Sequence, residues 1–178
     1  MTRFAFVLAI ALVTLGAATA PSDEDWARRG AETLAPFKGK LQAALKEGMA
    51  KGAENAITVC SVQAPALAGE AGSEHVRVGR AAARYRNPAN APAEWLSPIV
   101  EEWASSPATA SPRVVQIGEG VVGYVEPIFV QPMCTTCHGE AIPPGVRAKI
   151  EELYPEDKAT GFKSGDFRGV FWVEFDER

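Results

Sequence analysis

Cysteine and histidine are scarce in this chain, with 3 Cys and 2 His among 178 residues. Three cysteines are too few for a disulfide-rich scaffold, and an odd number leaves at least one thiol outside any disulfide. Basic residues are also outnumbered, because 18 Lys and Arg stand against 22 Asp and Glu, which gives a formal net charge of −4. A chain with a pI near 5.3 lacks the basic footprint of a nucleic-acid-binding protein, so we expect no nucleic-acid partner.

The sequence contains one long apolar run, and it lies at the N-terminus. Arg3 precedes an apolar stretch of about a dozen residues, 4–15, and small residues follow it. This run is short for a membrane span, which needs roughly 20 apolar residues. The layout predicts a signal peptide over residues 1–20, although Pro21 disfavours cleavage directly before it and a cut after Ala18 competes. An uncleaved anchor is the alternative.

The remaining residues, 21–178, are expected to form a single domain of ordinary size. Removing the signal peptide takes away Arg3 and leaves 17 basic and 22 acidic residues, a formal charge of −5. A second candidate span is missing from the sequence. We therefore expect a periplasmic or secreted protein without stable membrane insertion after cleavage.

Hydrophobic periodicity predicts an α+β fold in which helices come first. Ser22 and Asp25 resemble a capping pair at the start of the first helix, which Pro36 should bend or split. A second helix is predicted from about residue 54 to residue 64, with Pro65 opening a further turn. Later patterns predict helices after Pro92 and over 144–153, and strands over about 75–82, 113–117, 121–130 and 169–175. We expect these strands to form an antiparallel sheet of four or five.

A motif with specific chemistry occupies residues 134–139, Cys-Thr-Thr-Cys-His-Gly. The two thiols of a C-x-x-C-H sequence can reach the two vinyl groups of one haem and form thioether bonds, and the adjacent histidine becomes an axial ligand of the iron. Haem of the c type is attached outside the cytoplasm, where a signal peptide takes a chain. We therefore predict one covalently attached haem c, bound by Cys134, Cys137 and His138.

Three other uses of the motif fit the surrounding sequence less well. A redox-active disulfide needs a thioredoxin-like setting, and no βαβ pattern surrounds this motif. A structural zinc site would use the same side chains together with Cys60, but adjacent Cys137 and His138 would strain a tetrahedral site. A buried disulfide without a redox role is the third alternative.

The iron of such a haem has a second axial position, which His, Met or Cys commonly fills. The candidates in this chain are Cys60, His75 and Met49, and an open position is the fourth alternative. Cys60 lies on the apolar stripe of the predicted second helix, where its ordinary role would be that of a small buried hydrophobe. His75 would otherwise be a solvated surface residue, and Met49 would pack in the core. Spacing alone leaves these alternatives open.

Several segments resemble those of a known family. They are residues 56–65 around Cys60, residues 84–92 with the pattern Arg-x-Arg-Asn-Pro-x-Asn-x-Pro, the motif itself, and residues 154–161 and 165–169. The chain resembles the PAS-like mono-haem c-type domain, long catalogued as a domain of unknown function. That family includes stand-alone cyanobacterial haem proteins and the sensor portions of some bacterial receptors.

The resemblance implies a PAS-like antiparallel sheet of about five strands, preceded by helices, with the haem packed against it. It also implies His138 and Cys60 as the two axial ligands. A thiolate ligand donates electron density to the iron and favours its ferric state, so the reduction potential should be low. Arg84 and Arg86, together with Arg80, could pair with the haem propionates. The equal alternative is that these arginines order a loop through carbonyl and carboxylate contacts.

Three functions are compatible with such a haem. The first is a module that senses redox state or a small ligand and needs a partner protein. The second is a periplasmic electron-transfer cytochrome c, which needs an exposed haem edge. The third is a peroxidase-like activity, which requires an open iron site, so with Cys60 bound to iron we expect no enzyme.

Overall fold

Two long helices begin the part of the chain that this computed structural model describes, residues 20–178. Helix α1 is Asp23–Ala50 and helix α2 is Ala53–Ala71. Ser22 caps α1 as predicted, because its hydroxyl accepts a hydrogen bond from the backbone N–H of Asp25 while the Asp25 carboxylate accepts one from the backbone N–H of Ser22. Except for Ala20, the predicted signal peptide lies outside the described residues.

Pro36 and Pro65 lie inside these two helices and interrupt neither. The split at Pro36 does not occur, and the end predicted near residue 64 for the second helix is wrong. A proline in a helix interior costs about 3 kcal/mol, since it removes one backbone hydrogen bond and crowds the preceding turn. Leu34 and Phe37 on either side of Pro36 are almost completely buried, and each such side chain contributes about 1.5–3 kcal/mol. Tertiary packing therefore keeps α1 continuous.

Within the described range, four strands form one antiparallel sheet. They are β1 Val76–Ala81, β2 Arg113–Gly118, β3 Val121–Phe129 and β4 Phe167–Asp176. Their order is β1-β4-β3-β2, so β4 lies between two partners in the interior of the sheet. The expectation of about five strands is corrected to four. The predicted hairpin is confirmed: β2 pairs with β3, and Gly120 in the turn has a φ of 67°, which glycine adopts without strain.

Helices cover both faces of the sheet. On one face, Leu34 and Phe37 of α1 pack in a cluster with Val173 of β4, and α2 residues border this cluster. On the other face, helix α3, Ser97–Ser105, contributes Ile99, Val100 and Trp103 to a second cluster. Side chains alternate between the two faces along a strand, so the strands of this sheet contribute residues to both hydrophobic clusters.

The segment between β3 and β4 carries two further helices, α4 Thr135–His138 and α5 Pro144–Leu153. The bounds of α5 are those predicted from the sequence. Ile57 of α2 packs with Val146 of α5, and Cys137 borders the same cluster. This packing brings the C-x-x-C-H motif against α2. No helix in residues 20–178 combines the length and hydropathy of a membrane span.

Candidate functional site

The C-x-x-C-H motif forms a short turn that ends in α4. Cys134 closes a 3-10 turn, while Cys137 and His138 are the last residues of α4. The backbone N–H of Gly139 donates a hydrogen bond to the Thr135 carbonyl at 2.8 Å. A Cβ atom at Gly139 would lie 2.4 Å from that carbonyl oxygen, so the tight end of the turn requires glycine. The turn keeps the two thiols and the imidazole in one compact unit, and the described cysteines are free thiols.

The imidazole of His138 is held by one hydrogen bond. Its Nδ1 lies 2.6 Å from the carbonyl oxygen of Ala159. A carbonyl oxygen only accepts, so Nδ1 must carry the proton and Nε2 keeps its lone pair. Burial lowers the pKa of His138 to about 3, and the nearby charges of Arg86 and Arg168 act in the same direction. His138 is therefore a neutral imidazole with Nε2 available, which is the form that binds a metal.

Arg86 joins three segments of the chain at this site. Its guanidinium donates to the Asp157 carboxylate at 3.1 and 3.3 Å. It also donates to the carbonyl oxygens of Cys137 at 2.6 Å and Ala159 at 3.3 Å. The side chains of Arg86 and Asp157 are only 11% and 8% exposed. One buried ion pair thus fixes both the C-x-x-C-H turn and the carbonyl that orients His138.

Arg84 makes contacts of the same kind on the surface of the site. Its guanidinium donates to the carbonyl oxygens of Lys158 and Thr160. Its Cζ lies 4.0 Å from the centre of the Phe162 ring, within the range of a cation–π contact. These bonds, like those of Arg86, are the loop-ordering contacts that one of the two sequence alternatives predicts. Pairing of Arg84 and Arg86 with propionates stays a prediction.

Cys60 lies half-buried on α2, three residues after Ile57, which packs in the cluster that Cys137 borders. Burial raises the pKa of the Cys60 thiol, whereas the charges of Arg80 and Arg86 act in the opposite direction. Burial also raises the pKa of the Cys137 thiol, and Cys137 borders the cluster to which Ile57 of α2 belongs. The fold therefore brings Cys60 to the motif from a different helix.

The other candidates for the second axial position lie elsewhere. His75 is exposed and precedes β1. It is five residues from Arg80, or about 16 Å along an extended strand. Met49 is half-buried in the last turn of α1. Of the residues singled out in the sequence, Cys134, Cys137 and His138 thus lie in one turn, and Cys60 lies on a helix that packs beside that turn.

Sequence reasoning missed two parts of the site. The first is the loop 157–162, where Ala159 orients His138 through a main-chain oxygen and Phe162 packs edge-on against His138 with ring centres 6.5 Å apart. Any residue type can supply a main-chain carbonyl acceptor, so the sequence does not indicate this contact. The second is Arg168, which is at a bulge in β4 and donates to the Arg84 carbonyl at 3.0 Å. Burial lowers the pKa of Arg168 to about 10.

Positive charge dominates this region. Four guanidinium groups, which we call the arginine cluster, lie around His138 and Phe162: Arg80, Arg84, Arg86 and Arg168. In the part of the chain that the structure describes, the cluster forms one ion pair with protein, that of Arg86 with Asp157. The cluster therefore retains an excess of positive charge beside the candidate metal ligand.

These side chains suit a porphyrin better than a bare ion. Among residues 20–178, no three His, Cys, Asp or Glu side chains are grouped as a site made of protein ligands alone would require. A haem iron takes four ligands from its porphyrin and needs at most two from the protein. A neutral imidazole, two thiols at C-x-x-C spacing and a third thiol nearby match that need.

Comparisons with known proteins identify the family of the chain. The model of the Tll0287-like family matches residues 20–175. The crystal structure of the cyanobacterial heme-protein Tll0287 matches with a TM-score of 0.55 and 26% sequence identity, covering 81% of this chain and 97% of that chain. A comparison with curated proteins gave no match. Because the family model spans nearly all of the described residues, the chain belongs to the Tll0287-like family.

Proposed function

We propose that this protein binds one haem of the c type through Cys134 and Cys137, with His138 and Cys60 as its axial ligands. The carrying observation is the hydrogen bond from His138 Nδ1 to the Ala159 carbonyl, which leaves Nε2 free for the iron. The similarity to a cyanobacterial heme-protein supports the proposal.

Covalent attachment would be an addition reaction. Cys134 and Cys137 would each hold the haem through a thioether, in which the C–S bond replaces a vinyl C=C bond and the thiol hydrogen goes to the other vinyl carbon. The net step needs no oxidant or reductant. The hydrogen bonds from Gly139 to the Thr135 carbonyl and from Arg86 to the Cys137 carbonyl fix the turn that carries the two thiols. His138 stays neutral and oriented throughout.

Cys60 would set the redox character of the site. A haem supplies one-electron chemistry, and a thiolate ligand shifts its reduction potential downward. Burial raises the pKa of the Cys60 thiol and outweighs the opposing charges of Arg80 and Arg86, so a bound metal would supply the charge that favours the thiolate. We infer from this a low-potential haem that acts as a redox or small-ligand sensing module after export, without enzymatic activity.

A second candidate function is periplasmic electron transfer. Cys134, Cys137 and His138 are each only half-buried, and Met133 beside them is 42% exposed. A haem attached here would therefore have an edge near solvent, as electron exchange with a partner protein requires. The two functions differ in whether the iron accepts a new ligand.

Haem attachment is tested by producing the full chain in a bacterium that matures c-type cytochromes. A pyridine haemochrome spectrum of the purified protein should show thioether-bound haem, and its mass should exceed that of the mature chain by one haem. The mass also locates the signal cleavage. A protein without covalent haem would refute the proposal.

The ligand assignment is tested with Cys60→Ala and the matched control His75→Ala. We expect low-spin thiolate features in the parent spectrum, their loss in Cys60→Ala and no change in His75→Ala. An unchanged spectrum in Cys60→Ala would exclude Cys60 as a ligand. Binding of carbon monoxide to the reduced parent with displacement of Cys60 favours sensing, and the lack of such binding favours electron transfer.

A further inference from the structure

The basic side chains that form no ion pair are concentrated around the candidate site. Within the described residues they are Lys46, Arg80, Arg84, Arg147, Lys158, Lys163 and Arg168. Lys46 lies on α1 and Arg147 on α5, whereas the others belong to the arginine cluster or to the segment 158–163. An acidic chain therefore leaves most of its unpaired positive charge in one region.

Three of these cations are joined by direct contacts, and we call them the basic face: Arg84, Lys158 and Arg168. The guanidinium carbons of Arg84 and Arg168 lie 4.0 and 5.4 Å from the centre of the Phe162 ring. Arg168 donates a hydrogen bond to the Arg84 carbonyl at 3.0 Å, and Nε of Arg84 donates to the Lys158 carbonyl at 3.3 Å. Arg84 and Lys158 are exposed, and Arg168 is half-buried behind them.

The ammonium group of Lys158 is positioned by an uncharged side chain. Its Nζ donates to the Tyr85 hydroxyl at 2.7 Å and lies 4.4 Å from the centre of the Tyr85 ring. The backbone N–H of Lys158 also donates to the Tyr85 carbonyl at 2.8 Å. These contacts hold the ammonium at the surface and leave its charge uncompensated.

The carboxylates of the same segment do not neutralise the basic face. Asp157 pairs with Arg86, which is not part of the face. Asp166 accepts a hydrogen bond from the backbone N–H of Lys163 at 2.7 Å. Glu156 is exposed and forms no ion pair with any described residue. The positive charge of the basic face is therefore available to a group outside the chain.

The basic face adjoins the candidate iron ligand. Phe162, which both guanidinium groups contact, packs edge-on against His138 with ring centres 6.5 Å apart. The backbone N–H of Phe162 also donates to the His138 carbonyl at 2.9 Å. A partner that settles on the basic face would therefore lie beside a haem held by His138.

We infer that the basic face is the docking surface for an acidic partner protein, which presents Asp and Glu side chains to it. The inference rests on the haem attachment proposed above, and both functions considered there need a partner protein. Complementary charge steers association and sets orientation, while the acidic remainder of this chain would repel such a partner elsewhere. A propionate paired with Arg84 would still leave the Lys158 ammonium for the partner.

The first test measures binding of a fluorescent oligoglutamate peptide to the haem-loaded protein by anisotropy. The variants are Arg84→Gln and Lys158→Gln, and the matched control is Lys46→Gln, which removes an exposed, unpaired charge from α1. The Debye length falls from about 30 Å at 0.01 M ionic strength to about 8 Å at 0.15 M. We expect the parent to bind at the lower ionic strength and release the peptide at the higher. Each variant should bind about two- to five-fold more weakly, and the control should bind like the parent.

The second test measures the sign of the charge beside the haem. The ferrous protein gives one electron either to the anionic iron(III)–EDTA chelate or to the cationic hexaammineruthenium(III), and the two rate constants are compared as a ratio. Loss of a positive charge should slow the anionic oxidant and speed the cationic one. We therefore expect a lower anion-to-cation ratio in Arg84→Gln and Lys158→Gln and the parent ratio in Lys46→Gln. A changed haem potential moves both rates in the same direction, so the ratio separates it from a local charge.

Peptide binding that Lys158→Gln leaves unchanged, or that Lys46→Gln weakens equally, would overturn the docking surface, and so would an unchanged rate ratio. Each of these outcomes would leave the proposed haem attachment intact. If Arg84→Gln fails to load haem, Lys158→Gln decides both tests. A parent protein without haem in the pyridine haemochrome assay would instead overturn the proposed function, so the two failures are distinguishable.

Discussion

The buried ion pair between Arg86 and Asp157 predicts a large loss of stability when one partner is removed. In Arg86→Leu, the carboxylate of Asp157 would stay in a pocket where it is 8% exposed and would lose the guanidinium with which it forms an ion pair. The carbonyl oxygens of Cys137 and Ala159 would lose a donor as well. The variant therefore removes a contact on which three segments depend.

The expected cost follows from these contacts. Removing one partner of a buried pair typically costs about 3–5 kcal/mol. Asp157 would keep its hydrogen bond from the Ala159 N–H at 2.9 Å, so we expect a value at the lower end, about 3 kcal/mol. With a urea m-value of about 2 kcal/mol/M, the unfolding midpoint should fall by about 1.5 M.

Urea unfolding followed by circular dichroism, with all variants in the same haem state, measures this loss. Arg28→Leu is the matched control, because the Arg28–Asp25 pair has exposures of 63% and 52%, and such a pair contributes about 1 kcal/mol or less. The double variant Arg86→Leu with Asp157→Asn should lose less than the sum of the two single variants, since it leaves no uncompensated charge. A loss in Arg86→Leu no larger than that in Arg28→Leu, or strict additivity in the double variant, would refute the reasoning.

Three further substitutions probe α1 by urea unfolding. Gly39→Ala meets no atom within 4 Å and should stabilise the protein by about 0.5–1 kcal/mol through helix propensity. Gly30→Ala gains the same propensity, but its Cβ would lie 2.3 Å from the Tyr124 ring, so it should be less stable than Gly39→Ala by about 1–3 kcal/mol; equal stability of the two would contradict the packing. Ser22→Ala removes the capping box and should cost about 0.5–2 kcal/mol; no loss would show that the cap is dispensable.

The sequence predicts the fold best where the signal is local. The bounds of α5 and the β2–β3 hairpin follow from apolar spacing and glycine placement over short stretches, and the structure confirms them. Pro36 does not split α1, because the buried Leu34 and Phe37 beside it outweigh a local cost, and Pro65 does not end α2. The number of strands depends on which segments pair with one another in the sheet, and this pairing depends on contacts across the whole chain.

The candidate site, like the fold, can be predicted from the sequence only where the signal is local. The C-x-x-C-H spacing predicts Cys134, Cys137 and His138 as site residues, and the family resemblance predicts Cys60. The partners of Arg86 and His138 are largely main-chain oxygens, to which any residue type can contribute. The sequence does not predict Arg168 as a site residue, because the direction of its side chain depends on a bulge in β4. Such features become visible only when the backbone is in place.

The interior position of β4 has a consequence for how the chain acquires its structure. β1 pairs only with β4 within the described sheet, and Val76 meets Phe175 about a hundred residues later in the sequence. Contacts so distant along the chain slow folding, because a long loop must close before they form. During synthesis, the C-x-x-C-H segment emerges before the strand that completes the sheet. The thiols would therefore be accessible to an attachment machinery while the two halves of the sheet are still apart, and the arrival of β4 would close the domain afterwards.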